Sequence, residues 1–429
     1  MFVIVLILMA ALLYYFGINR ILGLPAGPPP LPLIGNMLSF QWDLDKVLLE
    51  WKARYGRVFT VWLPYPMVVI GDHKILQEHV VRDGNNFIDR KIPKQMLDLW
   101  FGGPYGLGFQ KNSIVKETRK FALKTFHEIG FNSATVEDIV HNYALEIISR
   151  WRNSEGAALN VSENFEKAIG NVVWRITFGI DLDFDNDLVP KYRKITHQFI
   201  PIMAGPLMMF VEMFPILRKF DWLFGNQIRR LKEHFGASND IVADAIKTTE
   251  KSFNPDNQPG SFIEAFLREM KKNEDAGKPE GSFHYRQMLA SAVNLWGAGF
   301  DTTVSILRLC VLELINHPDV QRKLQKEIDD TIGDRRIRYE DQKLLPYMCA
   351  YLQEASIFGS NHIAAGTTIL PQYSMVHMDE KEFERPDFFC PGRHIDDEGR
   401  FVKVPPPVTF SGGFTRAVHD FNVRILPRT

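Results

Sequence analysis

The sequence predicts a mainly α-helical protein with small β-sheets, and three observations carry that prediction. Apolar residues recur at helical spacing around 114–128, 136–152, 163–178, 226–248, 284–316 and 340–357. β-rich runs are short: Val58 to Leu63 and Met67 to Ile70, split by Pro64-Tyr65-Pro66, read as a hairpin. No internal repeat is present. At 429 residues the chain can hold one large domain or two to three small ones.

In chain order, the first element is a charge-free apolar run from Phe2 to Ile18. Ile21, Leu22 and Leu24 extend it toward the roughly 20 residues a membrane span needs. No basic segment precedes it and no small-residue cleavage site follows, so 1–24 reads as a retained signal-anchor helix. Arg20, Lys52, Arg54 and Arg57 follow it, which places the body of the protein in the cytoplasm. Pro25, Pro28, Pro29, Pro30 and Pro32 stiffen 25–36 into an extended hinge. Phe199 to Val211 is a second apolar stretch, too short to span and broken by Pro201, Gly205 and Pro206. It reads either as a pair of core helices or as an element dipping into a membrane. Residues 251–281 form a surface connection around a short helix, punctuated by Pro255, Pro259, Gly260 and Gly277. Residues 411–429 show no helical apolar stripe and read as a tail outside the fold.

Composition narrows the function classes. A formal net charge of −1 supplies no basic stripe for nucleic acid. Three widely separated cysteines, Cys310, Cys349 and Cys390, make neither a disulfide framework nor a zinc site. Thirty-two phenylalanines suit a wide apolar interior or a bulky structural core. There is no GxSxG, HExxH or phosphate-loop pattern, and the glycines of 101–106 do not follow a strand as a nucleotide fingerprint requires.

One segment carries chemistry. Residues 288–316 predict a long helix, apolar nearly all round and therefore buried. Its middle holds Ala298-Gly299-Phe300-Asp301-Thr302-Thr303. An acid and two hydroxyls in such a helix need partners. The small pair Ala298-Gly299 leaves room beside the backbone, and a threonine bonding back to the preceding turn can bend the helix. A kinked structural helix is the plainer alternative.

With these residues in view the chain resembles the microsomal cytochrome P450 family. Ala-Gly-x-Asp-Thr-Thr is similar to that family's oxygen-binding helix. Other stretches agree: the hinge at 25–36, Tyr55-Gly56 before the hairpin, Phe87-Ile88-Asp89-Arg90, Asn316-His317-Pro318, and Ala365-Gly366-Thr367-Thr368 through Arg393. The resemblance implies a P450-like fold over 37–410 and haem b as cofactor. It casts Thr302 as the hydroxyl beside dioxygen and Asp301 as the proton relay. It further implies cofactor contacts from Arg119, Ala298 and Gly299, and a structural ion pair between Glu354 and Arg393. A small hydrophobic substrate, electrons from NADPH-cytochrome P450 reductase, and the endoplasmic reticulum membrane complete the expectation.

The departures cluster on the haem side. Val115 stands where the family carries a tryptophan four residues before Arg119. Glu354-Ala355-Ser356-Ile357 lacks the arginine of Glu-x-x-Arg. Only 358–364 bridges a gap that in the family holds several strands. In the haem loop Phe410 and Gly413 match, but Thr415 occupies the arginine position and Ala417 the cysteine position, and no cysteine follows Cys390. Thiolate ligation is what favours O–O cleavage, and His419 as a replacement ligand would give different chemistry. The expected fold is thus incomplete toward its C-terminus, with junctions near Ile357 and Phe410 such as mis-splicing or a frameshift leaves. Two functions stay open: a haem-thiolate monooxygenase, and a catalytically inactive membrane protein that binds lipid or a partner.

Overall fold

The computed structural model describes residues 23–31, 34–39, 44–63, 65–82, 93–108, 112–129, 134–155, 157–203, 205–277, 281–359, 368–371, 376–377, 379–380, 383–386, 388–402 and 422–424. The anchor run and the haem-loop positions Phe410 to His419 lie outside the described residues. The chain divides into two compact units, 1–91 with 349–416 and 92–348 with 417–429.

In the first unit, helix α1 (Leu44–Tyr55) leads into strand β1 (Val58–Trp62) and strand β2 (Pro66–Ile70). The two strands pair antiparallel from Val58↔Ile70 to Trp62↔Pro66, which is the hairpin that the two proline-split runs predict. Phe59, Val61 and Val69 are fully buried beside Leu48 of α1 on one face, and Thr60 and Ile70 are buried on the other, so the hairpin is covered on both sides. The Pro-rich hinge is not a free spacer. Asn36 donates to the Pro29 carbonyl at 3.1 Å and accepts the Trp62 N–H at 2.8 Å, which ties the hinge to β1. A Cβ at Gly27 would meet the Thr60 carbonyl oxygen at 1.8 Å, so only glycine allows this approach. Arg57 and Lys52 converge on Asp379 at 2.6 and 3.0 Å.

The second unit is helical: α2 (Lys94–Trp100), α3 (Asn112–Glu128), α4 (Ala134–Arg152), α5 (Val161–Phe178), α6 (Leu188–Met203), α7 (Pro206–Met213), α8 (Gln227–Ser252), α9 (Phe262–Asp275), α10 (Tyr285–Asn316) and α11 (Pro318–Thr331). Its core is built on Trp296, Phe235, Phe178 and Tyr192, with α10 packed most extensively on α5. Gly170 of α5 lets α6 close in, because a Cβ there would meet both methyls of Val189 at 2.7 Å. Gly170→Ala is therefore expected to lower the denaturation midpoint by an overpacking penalty of about 1–3 kcal/mol. An unchanged midpoint would mean that the two helices separate freely.

One open reading is decided and two expectations meet differences. The apolar stretch 199–211 buries Phe199, Met208 and Val211 in the core of this unit. The exposed apolar surface falls instead on the next segment, the 3-10 stretch Pro215–Phe224, which has no buried residue. The helix expected over 340–357 breaks into a 3-10 turn (Tyr339–Leu344) and α12 (Pro346–Gly359). Proline at the first helical position suits a start there, and the Glu327 carboxylate of α11 caps it by accepting the Tyr347 and Met348 N–H groups at 2.7 and 2.8 Å.

The second difference concerns the C-terminal stretch. Strand β3 (Ala158–Asn160) pairs antiparallel with Asn422–Arg424, so part of the presumed tail joins the second unit. In the first unit, Thr368–Pro371 pairs parallel with β2, Met67↔Thr368 to Ile70↔Pro371. In chain order these two strands are β4 and β5, with Thr368–Pro371 as β4 and Asn422–Arg424 as β5.

Candidate functional site on helix α10

Helix α10 runs unbroken through the Ala-Gly-x-Asp-Thr-Thr segment. Its hydroxyls are satisfied within the helix: Thr302 Oγ1 donates to the Ala298 carbonyl at 2.7 Å and Thr303 Oγ1 to that of Gly299 at 2.8 Å. These are the bonds back to the preceding turn that spacing suggests, without interruption of the helix. Burial is uneven. Met288, Ala290, Ala292 and Trp296 are buried, whereas Ala298, Asp301 and Thr303 are exposed and Thr302 is half-buried. The helix is thus not enclosed all round; it presents a polar, small-residue face at the signature.

Gly299 has a packing neighbour of its own. Its missing Cβ faces Val173 of α5, where a methyl would sit 3.2 Å from a valine carbon. Glycine here serves helix packing, and only Ala298 of the pair lies on the exposed face with Asp301. Arg119 on α3 is exposed and its Nε donates to the Leu107 carbonyl at 3.0 Å. The loop that carries Leu107 is also held from α10. Gln287 accepts the Gly106 N–H at 3.0 Å and donates to its carbonyl at 3.2 Å, and Asn294 accepts the Leu107 N–H at 3.0 Å. Two helices therefore hold this loop, α10 through the Gln287 and Asn294 amides and α3 through the exposed Arg119 guanidinium.

Asp301 belongs to a charge cluster that sequence inspection did not find. Glu166 of α5, 7% exposed, bonds Arg193 of α6 at 2.9 Å. Burial pushes the Glu166 carboxyl up to about 7. Arg193 and Arg308 oppose that rise, and the negative charges of Asp301 and Glu163 add to it. Tyr192 is pushed up to about 12, again by burial first. The sign for stability follows from linkage. A carboxyl raised from 4.5 to about 7 stabilises the folded chain fully below 4.5, and that contribution is lost as pH rises through 7. Glu166→Gln is expected to flatten the stability–pH curve between those limits by about 2–3 kcal/mol. Denaturant melts at pH 5 and pH 8 measure it, and parallel curves for both proteins would refute the assignment.

In the first unit, Glu354 on α12 is 1% exposed and receives three donors. Arg393 Nε lies at 3.1 Å and His394 Nε2 at 2.9 Å, and the Cys390 backbone N–H at 2.9 Å. His394, fully buried, is the partner sequence reasoning missed; its only signal was a histidine beside the meander arginine. Its Nδ1 has no hydrogen-bond partner, so a proton on Nε2 leaves no buried N–H unsatisfied.

The family model for cytochrome P450 matches residues 25–356 and 352–416. This chain belongs to the cytochrome P450 family. Curated relatives agree. A probable cytochrome P450, CYP36A1, of Caenorhabditis elegans is 28% identical over 92% of this chain and 84% of its own length. Cytochrome P450 2A3 of Rattus norvegicus is 30% identical over 91% and 82%, and cytochrome P450 2K4 of Oncorhynchus mykiss 29% over 91% and 80%. The mainly helical P450-like fold is thereby established, and haem is the family's cofactor.

The donors of this P450 chain do not fit that cofactor's thiolate ligation. Cys310 is buried in α10, Cys349 lies on α12, and Cys390 gives its N–H to the Glu354 network. Residues 391–429 contain no cysteine. Among the described residues no group of His, Cys, Asp and Glu could hold a metal ion.

Proposed function

We propose that this chain is a membrane-attached P450-family protein that keeps the substrate-side helices and does not perform haem-thiolate oxygenation. The cysteine inventory carries this reading: residues 391–429 contain no cysteine, Ala417 standing at the position of the family's ligand, and the family match nevertheless continues to residue 416. Its remaining role is association with lipid or a partner. The test is the haem content of the purified protein. Absence of haem absorbance supports the proposal, and a thiolate-type carbon monoxide complex overturns it. The two matched segments meet at 352–356, which supports a junction near Ile357. Sequencing the transcript across Ile357 and Phe410 tests that origin.

The monooxygenase alternative has its own support. The face of α10 at Ala298, Asp301 and Thr302 retains the groups for oxygen contact and proton relay. Exposed Lys116, Arg119, Lys120 and Lys124 lie on α3, with Glu117 and Glu128 also exposed and Lys124 paired to Glu128 at 3.4 Å; the net positive balance suits docking of a redox partner. Under this reading a small hydrophobic substrate is oxidised at the endoplasmic reticulum membrane.

Membrane attachment rests on the apolar run at 2–18. Among the described residues no helix is long and apolar enough to cross a membrane. A second contact is offered by Phe214, Ile216, Trp222 and Leu223, between 43% and 67% exposed. Amide exchange over 214–224 is expected to slow severalfold when vesicles are added to the full chain. Unchanged exchange would remove this contact from the proposal.

A further inference from the structure

The second unit carries a groove of about 470 Å³ between α5 and α6, a volume typical of small-molecule sites. Glu163, Glu166, Lys167, Arg193, Lys194 and His197 line it. Arg308 of α10, 7% exposed, acts electrostatically on Glu166 and His197. Burial lowers the proton affinity of His197 most; Arg193 and Arg308 lower it further, and Asp301 opposes them. Lys167 holds Glu163 at 3.1 Å, and Arg193 holds Glu166 at 2.9 Å. Lys194 is exposed and has no ion pair among the described residues. Two guanidiniums thus act on one buried carboxylate, beside a lysine open to solvent.

We propose that this groove binds the oxyanion of a small molecule, a phosphate or carboxylate, held by Arg193 and Lys194 in place of Glu166. Arginine suits this role because its planar fork matches an oxyanion. The groups facing Glu166 are Glu163 on α5, Arg193 on α6, and Arg308 and Asp301 on α10. An anion arriving beside Glu166 puts two like charges at one site, which favours protonation of the carboxylate. Above neutral pH, binding therefore takes one proton from solvent onto Glu166, and no other bond changes. The inference is independent of haem and of the proposed function.

Inorganic phosphate titrated calorimetrically into the full chain at pH 8, in two buffers of different ionisation enthalpy, tests the site. Saturable binding with uptake of about one proton is expected. Lys194→Ala, a surface change that leaves the buried cluster intact, is expected to weaken binding about threefold. Glu166→Gln is expected to bind without proton uptake. Absence of saturation below about 10 mM phosphate, or equal affinity in Lys194→Ala, overturns the proposal. A soluble short-chain phosphatidate separates the sources. Tighter binding than phosphate identifies a lipid headgroup, and equal binding a free small anion.

Discussion

Reduced protein exposed to carbon monoxide is expected to show no absorbance band of the thiolate type. The family's chemistry rests on a cysteine sulfur bound to iron, because that ligand pushes electron density onto the metal and favours O–O cleavage. In this chain Ala417 occupies the position where the resemblance places that cysteine. The three thiols lie elsewhere in the sequence. Cys310 and Cys349 lie on helices, and Cys390 adjoins the Glu354 network. The expected effect is all-or-none, because a neutral histidine or water ligand does not produce the thiolate band. Appearance of that band in the unmodified chain would show that a thiol reaches the iron. Its appearance only after Ala417→Cys would locate the whole deficit at one position.

Glu354→Gln is expected to destabilise the first unit by about 3–5 kcal/mol, the range for removing one member of a buried charge network. Glu354 is almost wholly buried and receives Arg393, His394 and the Cys390 N–H. Losing its charge leaves the half-buried Arg393 without its counter-ion, held only by the Glu384, Arg385 and Phe388 carbonyls. The arginine that the family places at the Ile357 position is absent, so His394 supplies a donor that the resemblance assigned elsewhere. His394→Phe removes one donor and is expected to lose less, about 1–3 kcal/mol. Opening free energies from amide exchange over 346–359 and 388–402 measure both. A loss below about 1 kcal/mol for Glu354→Gln would mean that water, not protein, satisfies the carboxylate.

Periodicity located the long helices well, because a 3.6-residue apolar repeat is a local property of sequence. Asn112–Glu128, Ala134–Arg152, Val161–Phe178 and Tyr285–Asn316 all lie where the pattern places them. The failures came where a distant group decided the outcome. The break before Pro346 depends on Glu327 capping from the preceding helix. The parallel pairing of Thr368–Pro371 with β2 joins segments about three hundred residues apart. Exposed apolar surface at 214–223 emerged only once the core had taken up Phe199 and Val211.

The sequence by itself determined the family, the placement of Asp301 and Thr302 one residue apart on one helix, and the absence of any cysteine after Cys390. Each is a statement about covalent order or about spacing within one element. Tertiary structure alone decided that Gly299 serves the contact with Val173, that His394 joins Arg393 on Glu354, and that Glu166, Arg193 and Arg308 act together around one groove. The physical reason is range. Burial and electrostatic coupling act between side chains brought close by packing, and positions far apart along the chain carry no local signal of that proximity.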